Sequence, residues 1–324
     1  MLLPVGVVAF VLIGNAPVGV GEDAKPQAAG APVNPLDGQR AYGYLQEMCA
    51  LGPRMSGSPG MEKQQALVQA HFDKLGGKVS YQRFLANNPL GGAKVPMANM
   101  IVEWHPERKE RVLLCAHYDT RPLPDRDADP AQQQGGVFLG ANDGASGVAV
   151  LMELAHFMKD IDGAVGVDFL LVDGEELVYK DRRDPYFLGA TWFARKYVNE
   201  PPDYKYRWGV VLDMVGERDL QIYQEQNSGA WRDSRPLVKE IWDTAARLGV
   251  REFIPRVGYP VQDDHFPLRN TAKIPTCDLI DFVDAAGMSP PGYWHTTNDM
   301  PQRCSGSSLA KVGWVVYEWL RGQR

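Results

Sequence analysis

The chain has 324 residues, 44% of them hydrophobic and 23% charged, which is the balance of a globular protein able to bury a large core. Its formal net charge of −6 argues against nucleic acid or an anionic membrane as partner, because both demand a basic face. A small or peptide substrate fits better.

Leu2 to Ile13 is an apolar run of signal-peptide length, followed by small residues and the polar stretch Gly21 to Pro35. It is too short to span a bilayer as a helix. Residues 1–35 therefore read as a leader, and residues 36–324 as one folded domain, secreted or periplasmic, with no stable membrane insertion after processing. The competing reading of the apolar run is a buried terminal strand or helix, since a basic segment before it is missing. Cys49, Cys115, Cys277 and Cys304 are scattered without a paired spacing, which disfavours a cysteine metal site. Cys115 and Cys277 sit in apolar runs and read as small buried hydrophobes.

In chain order, Gly38 to Leu51 and Met61 to Leu75 carry helical periodicity on either side of the turn Ser56-Gly57-Ser58-Pro59-Gly60. Lys78 to Leu85, Ala98 to Trp104 and Arg111 to Ala116 read as strands, the last with a continuous apolar run typical of burial on both faces. Helix Ser146 to Met158, strand Val165 to Val172, helix Leu188 to Val198 and strand Trp208 to Val215 follow. Helix Ser234 to Leu248, strand Ile274 to Ile280 and helix Ser307 to Leu320 complete the series. Alternation of this kind predicts an α/β fold, a mixed and mostly parallel central sheet with helices on both faces. Ligands in such folds collect beyond the carboxyl ends of the strands.

Polar residues concentrate at those ends. His117 and Asp119 follow the buried strand, and Asp143 lies in the glycine-rich turn Gly140 to Gly147 that opens a helix. There it is either an N-cap or an acidic ligand. Glu175 and Glu176 follow Val167 to Val172, and adjacent carboxylates repel unless a cation or a proton resolves them. A metal on one would leave the other free for proton transfer. Asp213 is embedded in an apolar strand, where a carboxylate is costly without a partner. Gln262-Asp263-Asp264-His265 and Trp294-His295-Thr296 end loops. Together His117, Asp143, Glu176, Asp213 and His295 make a nitrogen and oxygen donor set suited to zinc.

The ordered motifs HYD, ND in a glycine-rich turn, DGEE, LDMVG, DDH and WHT, spread from Ala41 to Leu320, resemble the zinc aminopeptidase and glutaminyl cyclase clan of peptidase family M28. Gly57-Ser58-Pro59-Gly60, Asn227-Ser228 before Trp231, the Gln262 to His265 loop and Trp294 beside His295 look more like the cyclases. The resemblance implies a zinc-dependent catalytic domain acting on peptide or protein N-termini. It further implies one zinc on Asp143, Glu176 and His295, with Glu175 as general acid and base. Asp213 and Asp263 would be the hydrogen-bonded support of Glu175, and Trp294 a pocket wall. The turn at Gly140 to Gly147 is closer to the aminopeptidase version, and Lys180 and Asp181 stand near where animal cyclases carry a pocket tryptophan. His117 and Asp213 also match the extra ligands of two-zinc aminopeptidases, so a second zinc stays open. The implied reaction is cyclisation of N-terminal glutamine to pyroglutamate with loss of ammonia; the alternatives are aminopeptidase hydrolysis and a non-catalytic binding domain.

Overall fold

The computed structural model describes residues 32–284 and 287–323, so the leader expected over residues 1–35 falls almost wholly outside them. The elements are, in order, α1 (Gly38–Ala50), α2 (Pro59–Leu75), β1 (Lys78–Ala86), β2 (Val95–Trp104), β3 (Glu110–His117), α3 (Pro130–Gly135) and α4 (Ser146–Met158). β4 (Gly166–Val172), α5 (Leu188–Asn199), β5 (Lys205–Asp213), β6 (Ile222–Gln224), α6 (Gln226–Ala230) and α7 (Arg235–Leu248) follow. The chain ends with β7 (Phe253–Val257), α8 (His265–Asn270), β8 (Thr276–Ile280) and α9 (Gly306–Arg321).

Local chemistry sets the helix ends. The Asp37 carboxylate accepts the N–H groups of Gln39 and Arg40 to start α1, and Ser58 caps α2 just ahead of Pro59, a residue suited to the first helical position. Gly76 closes α2 in the left-handed region at φ 92°, as a C-terminal glycine does without strain.

Six strands form the main sheet in the order β1-β2-β4-β3-β5-β8. β1 and β2 are antiparallel, as are β2 and β4, while β3 pairs in parallel with β4 and β5, and β5 with β8. β6 and β7 make a separate parallel pair. The period-2 alternation of β3 separates two cores. Val112, Leu114 and Ala116 join the larger one with residues of α1, α2, α4, α7 and α9, whereas Leu113 and Cys115 pack with Phe193 of α5 and Leu268 of α8. Residues 33–323 form this single α/β domain, with a mixed sheet and helices on both faces.

Two differences from the sequence reading have simple causes. The short pieces α3, β6, α6, β7 and α8 have too few residues to show a period. The strand expected over Trp208 to Val215 begins at Lys205 and stops at Asp213, because Met214 enters the left-handed region at φ 51°. Charges inside apolar elements find partners: Asp168 of β4 pairs with Arg111 of β3, both fully buried, and Glu153 of α4 takes a bidentate pair from Arg40 at 2.7 and 2.6 Å. All four cysteines are free and buried. Among the described residues, no helix is long and apolar enough to cross a membrane.

Candidate active site

The four parallel strands β3, β4, β5 and β8 end at the same edge of the sheet, and the polar residues singled out from sequence sit there. His117 ends β3, Asp213 ends β5, and Glu175 and Glu176 lie just after β4. Asp143 stands in the turn before α4, Asp263 just before α8, and His295 in the loop that precedes α9. A cavity of about 260 Å³ opens between them, lined by Asp143, Glu175, Glu176, Asp213, Asp263 and His295 together with an apolar wall of Phe187, Phe282 and Trp294. That volume is at or below the small end of ligand pockets.

Backbone geometry aims these side chains. The position before α4 is Ala145, without any side-chain cap bond, so Asp143 is not an N-cap, and its carboxylate lines the cavity. Asp299 holds the turn by accepting the N–H of Asn142 at 2.8 Å and of Asp143 at 3.0 Å. Gly144 has φ 96°, and a Cβ there would stand 2.5 Å from the Asp119 carbonyl, a contact no side chain tolerates. Asp119 accepts the N–H of Glu175 at 3.1 Å and of Glu176 at 3.0 Å, one on each oxygen. The two glutamates are therefore fixed in a turn, both buried.

His295 sits in the left-handed region at φ 55°, a conformation that costs a residue other than glycine about 1–3 kcal/mol and recurs at functional sites. Its Nε2 lies 2.6 Å from Glu176 Oε1 and 3.5 Å from Asp143 Oδ2. Asp143, Glu176 and His295 offer ligand atoms within 4.8 Å of one another. Asp143 Oδ2 and Glu176 Oε2 are buried with no hydrogen-bond partner, and an orphaned buried acceptor costs about 1–3 kcal/mol unless something pairs with it. A cation satisfies both, and one imidazole with two carboxylates suits zinc.

A second group shares Asp143. His117 Nε2 lies 3.1 Å from both Asp143 Oδ1 and Asp213 Oδ1 and hydrogen-bonds the latter. Burial disfavours the charged imidazole, but the carboxylates of Asp119, Asp143 and Asp213 raise the His117 pKa well above its ordinary value. A third group, Asp263, His265 and Asp278, is buried behind the pocket. His265 stands 3.5 Å from both Glu225 Oε2 and Asp278 Oδ2, with Trp231 packed on its ring.

The electrostatics follow from burial and like charge. Burial pushes the Glu175 carboxyl well above the usual carboxylate range, and the Glu176 charge adds to it. Asp263 is raised to about 6 by burial and by Asp213. Asp213 and Asp263 line the cavity with Glu175; Asp213 hydrogen-bonds His117, and Asp263 accepts from the Asp264 N–H. Trp294 stacks on His295 with centroids 3.7 Å apart and meets Phe282 edge-on at 5.2 Å.

Sequence reasoning missed several contributors. Asp299 and Arg121 are fully buried at the site; Arg121 directly extends the HYDT run, but nothing in its residue type announces burial. Tyr186 and Phe187 line the cavity, and the loop carrying them is drawn in by the Phe187 N–H to Glu175 O and the Leu188 N–H to Gly174 O.

Just past β8, Asp281 is fully buried and accepts the Gln221 N–H at 2.8 Å, and burial raises it to about 8. Between the ordinary carboxylate pKa and about 8 the folded protein keeps a proton that the unfolded chain releases, so this carboxyl lowers stability as pH rises through that window. Asp281→Asn, which retains the acceptor, is expected to gain on wild type by on the order of 1 kcal/mol or more between pH 5 and pH 8. Thermal midpoints across that range check it, and a pH-independent difference would contradict the assignment.

Comparison with known proteins agrees with this geometry. The sequence pattern of peptidase family M28 matches residues 99–320. The chain belongs to peptidase family M28. This M28 domain is similar in structure to the glutaminyl cyclase of Fimbriiglobus ruber, at 37% identity and TM-score 0.84 over 90% of this chain and 97% of that one, which sets it among the glutaminyl cyclases of the family. A Zn-dependent exopeptidase from Parabacteroides distasonis is similar at 29% identity and TM-score 0.81, covering 90% of this chain and all of that one (100%). The glutaminyl-peptide cyclotransferase of Drosophila melanogaster is 24% identical over 267 residues, 76% of this chain and 70% of the relative.

Proposed function

We propose that this M28 protein cyclises the N-terminal glutamine of peptides to pyroglutamate and releases ammonia. The observation that carries the reading is the small cavity walled by Phe187, Phe282 and Trp294 directly beside Glu175, sized for one folded side chain rather than for an extended peptide. Asp143, Glu176 and His295 would hold one zinc, which when bound supplies Lewis-acid polarisation of the γ-carboxamide oxygen.

The chain's own residues do the rest. The aromatic wall excludes water and keeps the glutamine side chain bent so that its α-amine faces the carbonyl carbon of the γ-carboxamide, which makes the attack effectively unimolecular. As the amine nitrogen bonds to that carbon, Glu175 takes a proton from it and returns the proton to the departing carboxamide nitrogen. The C–N bond breaks and ammonia leaves. One carboxyl can do both only if its pKa lies near the operating pH, and burial moves Glu175 in that direction. Asp213 and Asp263 stand on the same cavity wall, and the charge of Asp263 adds to the upward shift of Glu175. In this reading residues 36–324 are the catalytic unit, and the apolar run Leu2 to Ile13 directs it out of the cytoplasm.

A second reading is favoured by one observation, the group of His117, Asp143 and Asp213 that shares a carboxylate with the first. Two metals there would suit hydrolysis of an N-terminal peptide bond, with Glu175 activating water. Ammonia release and arylamide hydrolysis separate the two. The full protein is expected to release ammonia from a glutaminyl peptide without shortening it, to leave leucyl and alanyl arylamides nearly untouched, and to lose activity on chelation and regain it with zinc. Efficient arylamide hydrolysis without pyroglutamate would promote the aminopeptidase reading.

A further inference from the structure

Arg121 is fully buried four residues beyond His117, and an arginine in that position is costly unless its donors are used. They are. Nε donates to Asp125 Oδ1 at 2.7 Å, and Nη2 to Asp125 Oδ2 and Asp181 Oδ1, both at 2.9 Å. Nη1 donates to Tyr186 Oη at 3.3 Å and lies 3.5 Å from Glu176 Oε1. One guanidinium thus touches Glu176 on one side and the loop bearing Tyr186 and Phe187 on the other.

The same short segment grips the opposite wall. The Arg126 N–H donates to the His295 carbonyl at 3.1 Å, its guanidinium lies 4.3 Å over the Trp294 ring, and its Nη2 reaches Asp181 Oδ2 at 3.3 Å. Asp125 Oδ1 also stands 3.7 Å from His295 Nδ1. Residues 121–126 therefore connect Glu176 with His295 and the Tyr186–Phe187 wall with Trp294. Asp181 is the point where both arginines meet that loop.

We propose that Arg121 is a positioning residue: its planar fork holds Glu176 and the Tyr186–Phe187 wall in one fixed relation, so that a single side chain sets both metal affinity and pocket closure. A lysine keeps the charge but cannot span Asp125, Asp181, Tyr186 and Glu176 at once. The proposal deepens the reading above and rests on it for the identity of metal and substrate.

The test uses the full chain and three readouts: zinc affinity by chelator competition on metal-free protein, kcat and KM for a glutaminyl peptide, and thermal midpoint. Arg121→Lys is expected to weaken zinc binding by about 10–100-fold, the scale seen when the partners of ligating side chains are lost, and to raise KM. Asp181→Asn removes only the outer anchor, on a partly exposed residue, and is expected to raise KM several-fold with zinc affinity at the wild-type level. Wild-type zinc affinity in Arg121→Lys overturns the proposal. So do two variants that lose thermal midpoint alone, with zinc affinity and KM unmoved. Should Arg121→Lys not fold, unchanged KM in both Asp181→Asn and Tyr186→Phe overturns it, and raised KM in both supports it. Zinc affinity is read without substrate, so a wild-type protein that binds zinc but forms no pyroglutamate refutes the cyclase reading and not the clamp.

Discussion

Glu175→Gln is expected to lower turnover of glutaminyl peptides by on the order of 10²-fold or more, the scale of a lost general acid and base, while zinc stays bound. The two halves of this expectation come from different atoms. Glutamine keeps the shape and the backbone N–H that Asp119 accepts, so the turn that presents Glu176 is undisturbed. What it loses is the ability to take a proton from the attacking amine and give one to the departing nitrogen. Single-turnover ammonia release and metal analysis on the same sample measure both halves. A variant with near wild-type turnover would place the proton transfer elsewhere, with Asp263, raised to about 6, as the next residue to examine. A variant that lost its zinc would mean that Glu175 and Glu176 had been assigned the wrong way round.

Much of this site was legible in the sequence because its residues sit where apolar strands stop. Val112 to Ala116 of β3 and Phe169 to Val172 of β4 are continuous apolar runs, so the polar residues just after them, His117 to Asp119 and the Asp173-Gly174-Glu175-Glu176 turn, stand out without any alignment. Asp143 was ambiguous for a physical reason: an acidic residue ahead of a helix has a structural use as well as a chemical one. Only the observation that Ala145 occupies the cap position removes the first. What could not be read is what depends on distant segments meeting. Asp299 positions the Asp143 turn across a separation of 156 residues, and Arg121 draws Asp125, Glu176, Asp181 and Tyr186 around one guanidinium. Neither carries a local periodicity or spacing. Trp294, expected as a pocket wall, lines the cavity, but the rest of the aromatic wall was missed for the same reason. Lys180 and Asp181 occupy the stretch where animal cyclases, by resemblance, carry a tryptophan, yet the aromatic surface comes from Tyr186 and Phe187, and Asp181 instead anchors the loop to Arg121 and Arg126.

The remaining large effect concerns metal count. His295→Asn is expected to strip the zinc and reduce turnover to background, while His117→Asn keeps about one equivalent bound, as one imidazole and two carboxylates still allow. Asparagine is chosen because it enters the left-handed region more readily than other non-glycine residues, so the φ of 55° at position 295 can persist while the ligand is lost. The asymmetry between the two histidines rests on which atoms are already satisfied. In the group of Asp143, Glu176 and His295, the carboxylate oxygens Asp143 Oδ2 and Glu176 Oε2 are buried without a partner, and a bound cation would relieve both at once. In the other group, His117 Nε2 hydrogen-bonds Asp213 Oδ1 at 3.1 Å, a contact that a metal would replace just as it would the one between His295 and Glu176 at 2.6 Å, but Asp213 adds no buried, unpartnered oxygen to the one on the shared Asp143. Metal analysis of dialysed wild type and both variants reads the difference directly. Two equivalents in wild type, with one lost in His117→Asn, would establish a two-metal centre and shift the functional reading toward hydrolysis; zinc retained in His295→Asn would refute the proposed ligand trio itself.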